Sequence, residues 1–390
     1  MNARSTNLFG LTQQELAGFF AAMGEPPFRG KQMYQWLYAR GMLDFGAMTD
    51  LAKGLREKLL HSARIYSLSL VTNQISRKDG TTKFLFALED GLTIESVLIP
   101  PARSFSGREA AGEDEQRRLT LCISTQVGCP LDCAFCATGK MGFFRNLSPG
   151  EIIGQVLEVK RLTGKKITNV VFMGMGEPMM NYDNVMKSVE VISTGVGIAA
   201  RRITISTAGW ADKIRQMGDE RRRVKLAVSL HSADDATRTR LMPINKRYPL
   251  TELTSAIEYY YKRTKQRVTY EYIFFDGVND SPKDVAQLIA LARRVPCKIN
   301  VIPFHSIAFV GLGGTAAGLR PSPRMEQIVE GLRSSNLTVM VRSNAGEDID
   351  AACGQLAAMI QQKHPPPVAA ALPHGVHSSV PRRPRMRAVR

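Results

Sequence analysis

This 390-residue sequence has no long hydrophobic run. Nowhere do about 18 apolar residues follow one another, so no helix is expected to cross a membrane and no membrane partner is expected. No secretory leader is expected either. Residues 1–10 show no basic stretch ahead of an apolar core, which argues against secretion and for a cytoplasmic location. No internal repeat appears, which excludes a solenoid or a propeller. Acidic residues are short: 35 Asp and Glu stand against 52 Lys and Arg, for a net charge of +17. The last 27 residues hold five Arg, no Lys and no acid, and without them residues 1–363 still carry +12. A body this basic points to a polyanionic partner, usually nucleic acid, with solubility alone as the bland alternative. Cysteine is scarce as well: six, at 122, 129, 133, 136, 297 and 353. Four of them fall within fifteen residues, which suits metal binding or catalysis in a reducing compartment better than a disulfide framework.

Hydrophobic periodicity divides the chain. Segments 11–23, 28–39 and 50–61 read as helices, the first capped by Thr12. Segments 65–74, 81–88 and 92–99 read as strands, split by Asp79-Gly80 and Asp90-Gly91. Residues 1–100 are thus expected to form a small helical accessory unit that leads into an antiparallel meander. Residues 101–118 form a polar linker. From 119 to 363 strands alternate with helices. The strands are expected at 119–124, 167–173, 202–206, 224–230, 268–275, 298–302 and 337–341. The helices between them are expected at 149–163, 184–196, 211–218, 250–264, 282–295 and 323–334. Such alternation predicts right-handed parallel βαβ units. Six or seven strands are too few for a closed eight-stranded barrel, so the fold class is α/β, an incomplete (βα)6-type barrel with an antiparallel β extension. Residues 306–319 read as a Gly-rich loop, and 364–390, with six Pro and five Arg, as a disordered basic tail.

Cys129-Pro-Leu-Asp-Cys133-Ala-Phe-Cys136 spells CxxxCxxC. Three thiolates this close can surround one metal centre, and soft thiolates suit zinc or iron–sulfur iron. A cubane held by three cysteines keeps one iron open for a small ligand. A structural zinc site is normally closed by four ligands, here with Cys122 or Cys353 as the fourth. The motif follows the first strand of the βα series, where ligands bind outside the carboxyl ends of strands. Phe135 precedes the third cysteine, where an aromatic can pack beside an adenosine. Later strands also end in polar groups: Gly174-Met175-Gly176-Glu177-Pro178, Ser206-Thr207-Ala208-Gly209 and Ser229-Leu230-His231.

CxxxCxxC with an aromatic at that place resembles the signature of the radical S-adenosylmethionine (SAM) superfamily. The resemblance implies a 4Fe-4S cluster on Cys129, Cys133 and Cys136. SAM binds its open iron and is cleaved to a 5′-deoxyadenosyl radical. Gly176 and Glu177 are similar to the superfamily's "GGE" element, which holds the methionyl amine. Phe135, Ser206, Ser229, Leu230 and His231 fall at further cofactor-binding positions. Cys122, in Leu-Cys-Ile-Ser-Thr-Gln, Cys353, in Asp-Ala-Ala-Cys-Gly-Gln, and the run Met242-Pro-Ile-Asn-Lys246 narrow the match. Over residues 10–360 the chain resembles the RNA adenine C-2 methyltransferases, which act on 23S rRNA at the peptidyl transferase centre and on tRNA next to the anticodon, and their relatives acting at adenine C-8.

This resemblance implies a two-SAM reaction. Cys353 is methylated first, and the radical then activates its methyl group for addition to adenine. Cys122 finally forms a transient disulfide with Cys353 to release the product. Glu95 matches the family's proton acceptor, a task Cys122 could share. An electron donor such as flavodoxin and a monomeric state are implied too. One position departs from the family pattern: His305 stands where an Asn commonly contacts SAM. Cys297 lies in no motif and reads as structural. Basic pairs such as Arg201-Arg202, Lys246-Arg247 and Lys262-Arg263 can meet phosphates, and the target adenine has to leave its stack. The rival of another class is a zinc-stabilised RNA-binding protein without catalysis.

Overall fold

The structure, a computed structural model, describes residues 5–101, 118–305 and 318–357. Strand β1 (Thr6–Asn7) pairs in parallel with β2 (Ala63–Arg64). Between them lie the helices Gln13–Ala22, Phe28–Tyr34 and Lys53–Ser62 of a small N-terminal unit. The first helix starts at the expected place because Thr12 and Glu15 satisfy each other's backbone N–H groups in a capping box. The second runs on as a π-turn over Gln35–Ala39. The unit sits on the helix Pro149–Thr163 through glycine. Gly10 has φ +99°, and a Cβ there would stand 2.4 Å from the Gly150 nitrogen. Tyr38 fixes this corner: its hydroxyl accepts from the Gly10 N–H at 2.9 Å and donates to the Leu11 carbonyl at 2.8 Å.

Ten strands form one continuous sheet. β3 (Ser69–Ile75), β4 (Thr82–Ala87) and β5 (Thr93–Ile99) make the expected antiparallel meander, and β5 pairs antiparallel with β6 (Thr120–Cys122). The meander therefore extends the same sheet that carries the βα units. The chain next makes a separate antiparallel hairpin, β7 (Gln126–Gly128) with β8 (Phe143–Asn146). Then β9 (Asn169–Phe172), β10 (Ile203–Thr207), β11 (Lys225–Ser229), β12 (Val268–Tyr272), β13 (Cys297–Val301) and β14 (Val339–Val341) line up beside β6. They follow chain order and are all parallel. β9 and β12 are buried along their whole length, as expected of parallel strands covered on both faces. Among the described residues β3 and β14 are the two edges, and strand pairing does not close the barrel there.

A segment after β14 bridges the gap instead. Gly346 N–H donates to Asp79 Oδ2 at 2.9 Å, and Asp348 Oδ2 accepts from Arg77 N–H at 3.2 Å. Lys83 Nζ donates to the Asp350 carbonyl at 3.2 Å, and Ala357 N–H to Glu95 Oε2 at 2.9 Å. These bonds tie the segment to the meander. On its other side Ala137 N–H donates to the Gly354 carbonyl at 2.7 Å, and Thr138 Oγ1 to the Leu356 carbonyl at 2.6 Å.

Several boundaries differ from expectation. The helix expected at 184–196 begins at Tyr182 and ends in a π-turn, Ile192–Val196. That at 282–295 stops at Ala292, and that at 323–334 starts at Met325. The strand expected at 65–74 begins at Ser69. The helix Asp235–Leu241 and the β7–β8 hairpin were not expected. Most of the linker, most of the Gly-rich loop and the basic tail lie outside the described residues. No helix among the described residues is long and apolar enough to cross a membrane.

Replacing Gly10 by Ala adds a close backbone clash to the strain of a left-handed φ, together about 1–3 kcal/mol. Gly24 also has positive φ but has nothing within 4 Å of a built Cβ. Thermal unfolding is therefore expected to show a lower Tm for Gly10→Ala than for Gly24→Ala. Equal Tm values would contradict the backbone contact.

Candidate active site

The β7–β8 hairpin presents the cysteine loop. Gly128 closes it at φ +74°, where a Cβ would lie 1.9 Å from the Gly142 carbonyl oxygen, and that oxygen also accepts from Cys129 N–H at 2.9 Å. Cys129, Cys133 and Cys136 all line one cavity of about 150 Å³ at the carboxyl ends of β9, β10 and β11. They share it with Phe135, Gly176, Glu177, Ser206, Ser229 and His231. Burial pushes all three thiols up, and Cys133 and Cys136 push Cys129 up further. Among the described residues no three His, Cys, Asp or Glu side chains are gathered tightly enough for a single ion. Three soft sulfurs around one cavity, each disfavoured as an uncompensated anion, fit a cationic iron–sulfur cluster.

The rim around this cavity is rigidly satisfied. Phe135 packs edge-on against His231, with ring centroids 4.5 Å apart. His231 Nδ1 accepts from Ile273 N–H at 3.1 Å, and burial, helped by Arg238, pushes the imidazole down to about 3. The ring is thus neutral at physiological pH and offers Nε2–H. Glu177 is buried, which raises its carboxyl. Its oxygens accept from Met179 N–H at 3.0 Å and Ala208 N–H at 2.8 Å, joining the ends of β9 and β10. The Thr207 side chain is a third partner of this carboxylate, which leaves lone-pair capacity for one cation such as an ammonium.

Arg238, which sequence reasoning did not single out, is fully buried. It donates to the carbonyls of Ala208, Ser229 and Leu230, at 2.6, 3.2 and 3.1 Å, and to Asn245 Oδ1 at 2.7 Å. This explains the Met242–Lys246 motif: Asn245 orients the guanidinium that fixes two strand ends. Burial pushes Arg238 down to about 10.

Cys353 lies on the bridging segment and lines both this cavity and a larger one of about 780 Å³. Arg342, at the end of β14, donates from Nη1 to Cys353 Sγ at 2.9 Å and from Nη2 to Met173 Sδ at 3.3 Å. Its Nη1 also lies 4.0 Å from Glu271 Oε2, which accepts from Asn300 Nδ2 at 2.7 Å. Cys353 is the largest of the influences that raise the Arg342 pKa, and Cys122 and Glu271 add to it. Cys122, buried at the end of β6, is pushed up to about 12 by burial and by Cys353, with Arg342 opposing. The structure thus sets one guanidinium against both cysteines. Both are free thiols. Arg342 and Glu271 had no local signal in the sequence beyond being charged residues on strands.

Other expected site residues fall elsewhere. Leu230 is buried off the cavity and contributes backbone: its N–H donates to the Glu271 carbonyl at 3.0 Å. His305 lines the larger cavity, 3.5 Å from Glu347, and does not line the smaller one with the cysteine loop. Glu95 lines neither cavity; it holds Ala357 N–H and lies 3.7 Å from Lys83. Cys297 Sγ donates to the Ala292 carbonyl at 3.2 Å, at a distance from the site in the fold.

Two family models match the chain: the ribosomal RNA large subunit methyltransferase N-terminal domain over residues 6–65, and the radical SAM superfamily over residues 123–289. The probable dual-specificity RNA methyltransferase RlmN of Flavobacterium psychrophilum is 40% identical over 363 residues, covering 92% of this chain and 99% of that protein. The dual-specificity RNA methyltransferase RlmN of Anaeromyxobacter dehalogenans is 41% identical over 362 residues, covering 90% and 92%. The crystal structure of a radical SAM methyltransferase from Sphaerobacter thermophilus shares 40% identity at a TM-score of 0.79, covering 90% of this chain and 99% of that one.

Arg342 donates to the Cys353 and Met173 sulfurs and lies beside the buried Glu271 carboxylate, and leaving a buried polar partner unmatched costs about 1–3 kcal/mol. Arg342→Ala is therefore expected to lower the urea unfolding free energy by about 1–3 kcal/mol relative to wild type. Equal unfolding free energies would contradict these contacts.

Proposed function

The chain belongs to the RlmN family of dual-specificity RNA methyltransferases, and on that membership we propose that it methylates C-2 of adenine in 23S rRNA at the peptidyl transferase centre and in tRNA next to the anticodon. It is a radical SAM enzyme. We further propose that Cys129, Cys133 and Cys136 hold the 4Fe-4S cluster, that Phe135, Gly176, Glu177, Ser206, Ser229 and His231 enclose SAM, and that the enzyme works as a cytoplasmic monomer.

When bound, the cluster and SAM, two SAM molecules per turnover, supply a methyl group and, after one-electron reduction by a donor such as flavodoxin, a 5′-deoxyadenosyl radical. Adenine C-2 is electron-poor and does not attack a sulfonium. A protein sulfur therefore has to carry the carbon, and Cys353 is that sulfur. The observation supporting this role is its place on the wall shared by the two cavities, with Arg342 on Sγ. Arg342 holds Cys353 Sγ in position as the methyl acceptor. Once the carbon is bonded to the base, Cys122 attacks Cys353 Sγ: the Sγ–Sγ bond forms, the Sγ–CH2 bond breaks with its electron pair passing to the methylene, and protonation there frees the methylated base. The Cys122 thiol is pushed up to about 12, so it gives up its proton only as it attacks. Glu95 is the proposed acceptor of the ring hydrogen. Its carboxylate accepts from Ala357 N–H, on the segment that carries Cys353.

Anaerobically reconstituted enzyme given labelled SAM and a 23S rRNA fragment tests this directly. Cys353→Ala is expected to take up no methyl group and to release no product. Cys122→Ala is expected to accumulate a crosslinked protein–RNA species. Undiminished turnover in Cys353→Ala would contradict the mechanism. Chromatography of the digested RNA is expected to give the C-2 and not the C-8 methyladenosine.

A further inference from the structure

The larger cavity, about 780 Å³, lies on the other side of Cys353 from the cysteine loop and has no part in cofactor binding as described. Strand register sets its levels. Lys225 pairs with Thr204, and Lys298 with Thr269, at the amino ends of β11 and β13. Glu271 and Asn300 are two residues further along their strands, about 7 Å higher, and face each other in the ladder. Arg342 and Cys353 lie above them, on the wall shared with the smaller cavity. Arg118 and Arg267, which precede β6 and β12, join Lys225 and Lys298 to form a floor of four cations. Glu271 is the one carboxylate among the described lining residues, and Asn300 and Arg342 already engage it. The floor cations repel one another. Lys225 is pushed down by burial and then by Arg118, and Lys298 by burial, with Lys225 and Arg118 adding to it against Glu271. Lys298 is half-buried and Arg118, Lys225 and Arg267 are exposed at the same end of the cavity; four cations around one cavity floor with no described carboxylate at that level call for an anionic ligand.

The size of the cavity limits what enters. It lies within the usual range for a small-molecule site, so it accommodates one nucleotide and excludes a duplex. A base presented to Cys353 from the side away from SAM has its sugar and phosphate directed down the cavity. Resting on the RNA methyltransferase reading above, we propose that Arg118, Lys225, Arg267 and Lys298 form the phosphate subsite for the extruded target nucleotide. The RNA then meets the sheet at the amino ends of its strands, opposite the cofactor, and the adenine fills the space beneath Cys353. Extrusion of this kind exposes a base to a pocket while its phosphates stay on a charged rim.

The test is the binding of a 23S rRNA fragment spanning the peptidyl transferase centre to the reconstituted full-length enzyme across a salt series. Losing two phosphate contacts in Lys225→Ala/Lys298→Ala is expected to weaken binding about tenfold and to flatten the log–log salt slope by about 1.5. Lys298→Arg should retain wild-type affinity, and Lys283→Ala, on the exposed side of the helix Pro282–Ala292, should match wild type. Affinity and slope in the double variant equal to those of wild type would overturn the proposal, as would an equal loss in Lys283→Ala. Methyl uptake by Cys353 from labelled SAM without RNA is expected to be unchanged in every variant. Its absence from wild type would count against the methyl-carrier role and leave the phosphate subsite to the binding result.

Discussion

One constraint governs the site: a short stretch of chain must cross the open side of the sheet and hold Cys353 between two cavities. Strand pairing does not do this, because β3 and β14 are edges of one open sheet. Side chains of the meander do it instead, with Asp79, Lys83 and Glu95 binding backbone groups of the crossing segment. The cysteine loop grips the other side through Ala137 and Thr138. Fixing a residue's backbone costs about 1–2 kcal/mol, while a hydrogen bond to a charged group returns about 1.5–3 kcal/mol. Cost and return are of similar size, which suits a segment that carries a reacting sulfur and has to release a product. The antiparallel extension is therefore part of the active site's architecture, although none of its described residues lines the smaller cavity.

Charge is distributed along the strand axis in a matching way. At the carboxyl ends, buried groups are neutral or paired: His231 is held neutral, and Arg238 is satisfied by backbone carbonyls and Asn245. Midway, Arg342 lies among Cys353, Cys122 and Glu271. At the amino ends the cations lack carboxylates among the described lining residues. A cofactor with its own charges is accepted at one end and a polyanion at the other, and the sulfur that links them lies between.

Much of this was legible in the sequence where local chemistry decides structure. Ser148-Pro149 with Glu151 and Ser281-Pro282 with Asp284 are complete capping signals, and both helices start there. The three clustered cysteines, Glu177 and the strand-end Ser206, Ser229 and His231 came together as spacing and strand ends suggested. Tertiary demands were not legible. Arg238 lies in Asp-Asp-Ala-Thr-Arg-Thr-Arg, which reads as a solvated polar run; it is buried because three carbonyls at strand ends need a donor. Arg342 and Glu271 come from strands 71 positions apart, and only the sheet makes them neighbours of Cys353. His305 was placed by analogy of position, but its side chain turns to Glu347 in the other cavity.

Cys129, Cys133 and Cys136 are proposed to hold an iron–sulfur cubane with one iron left for SAM, and electron paramagnetic resonance of the reduced, oxygen-free protein tests this most directly. About four iron per chain and a cluster signal that changes when SAM is added are expected. Stoichiometric zinc in place of iron, or a cluster signal indifferent to SAM, would contradict it.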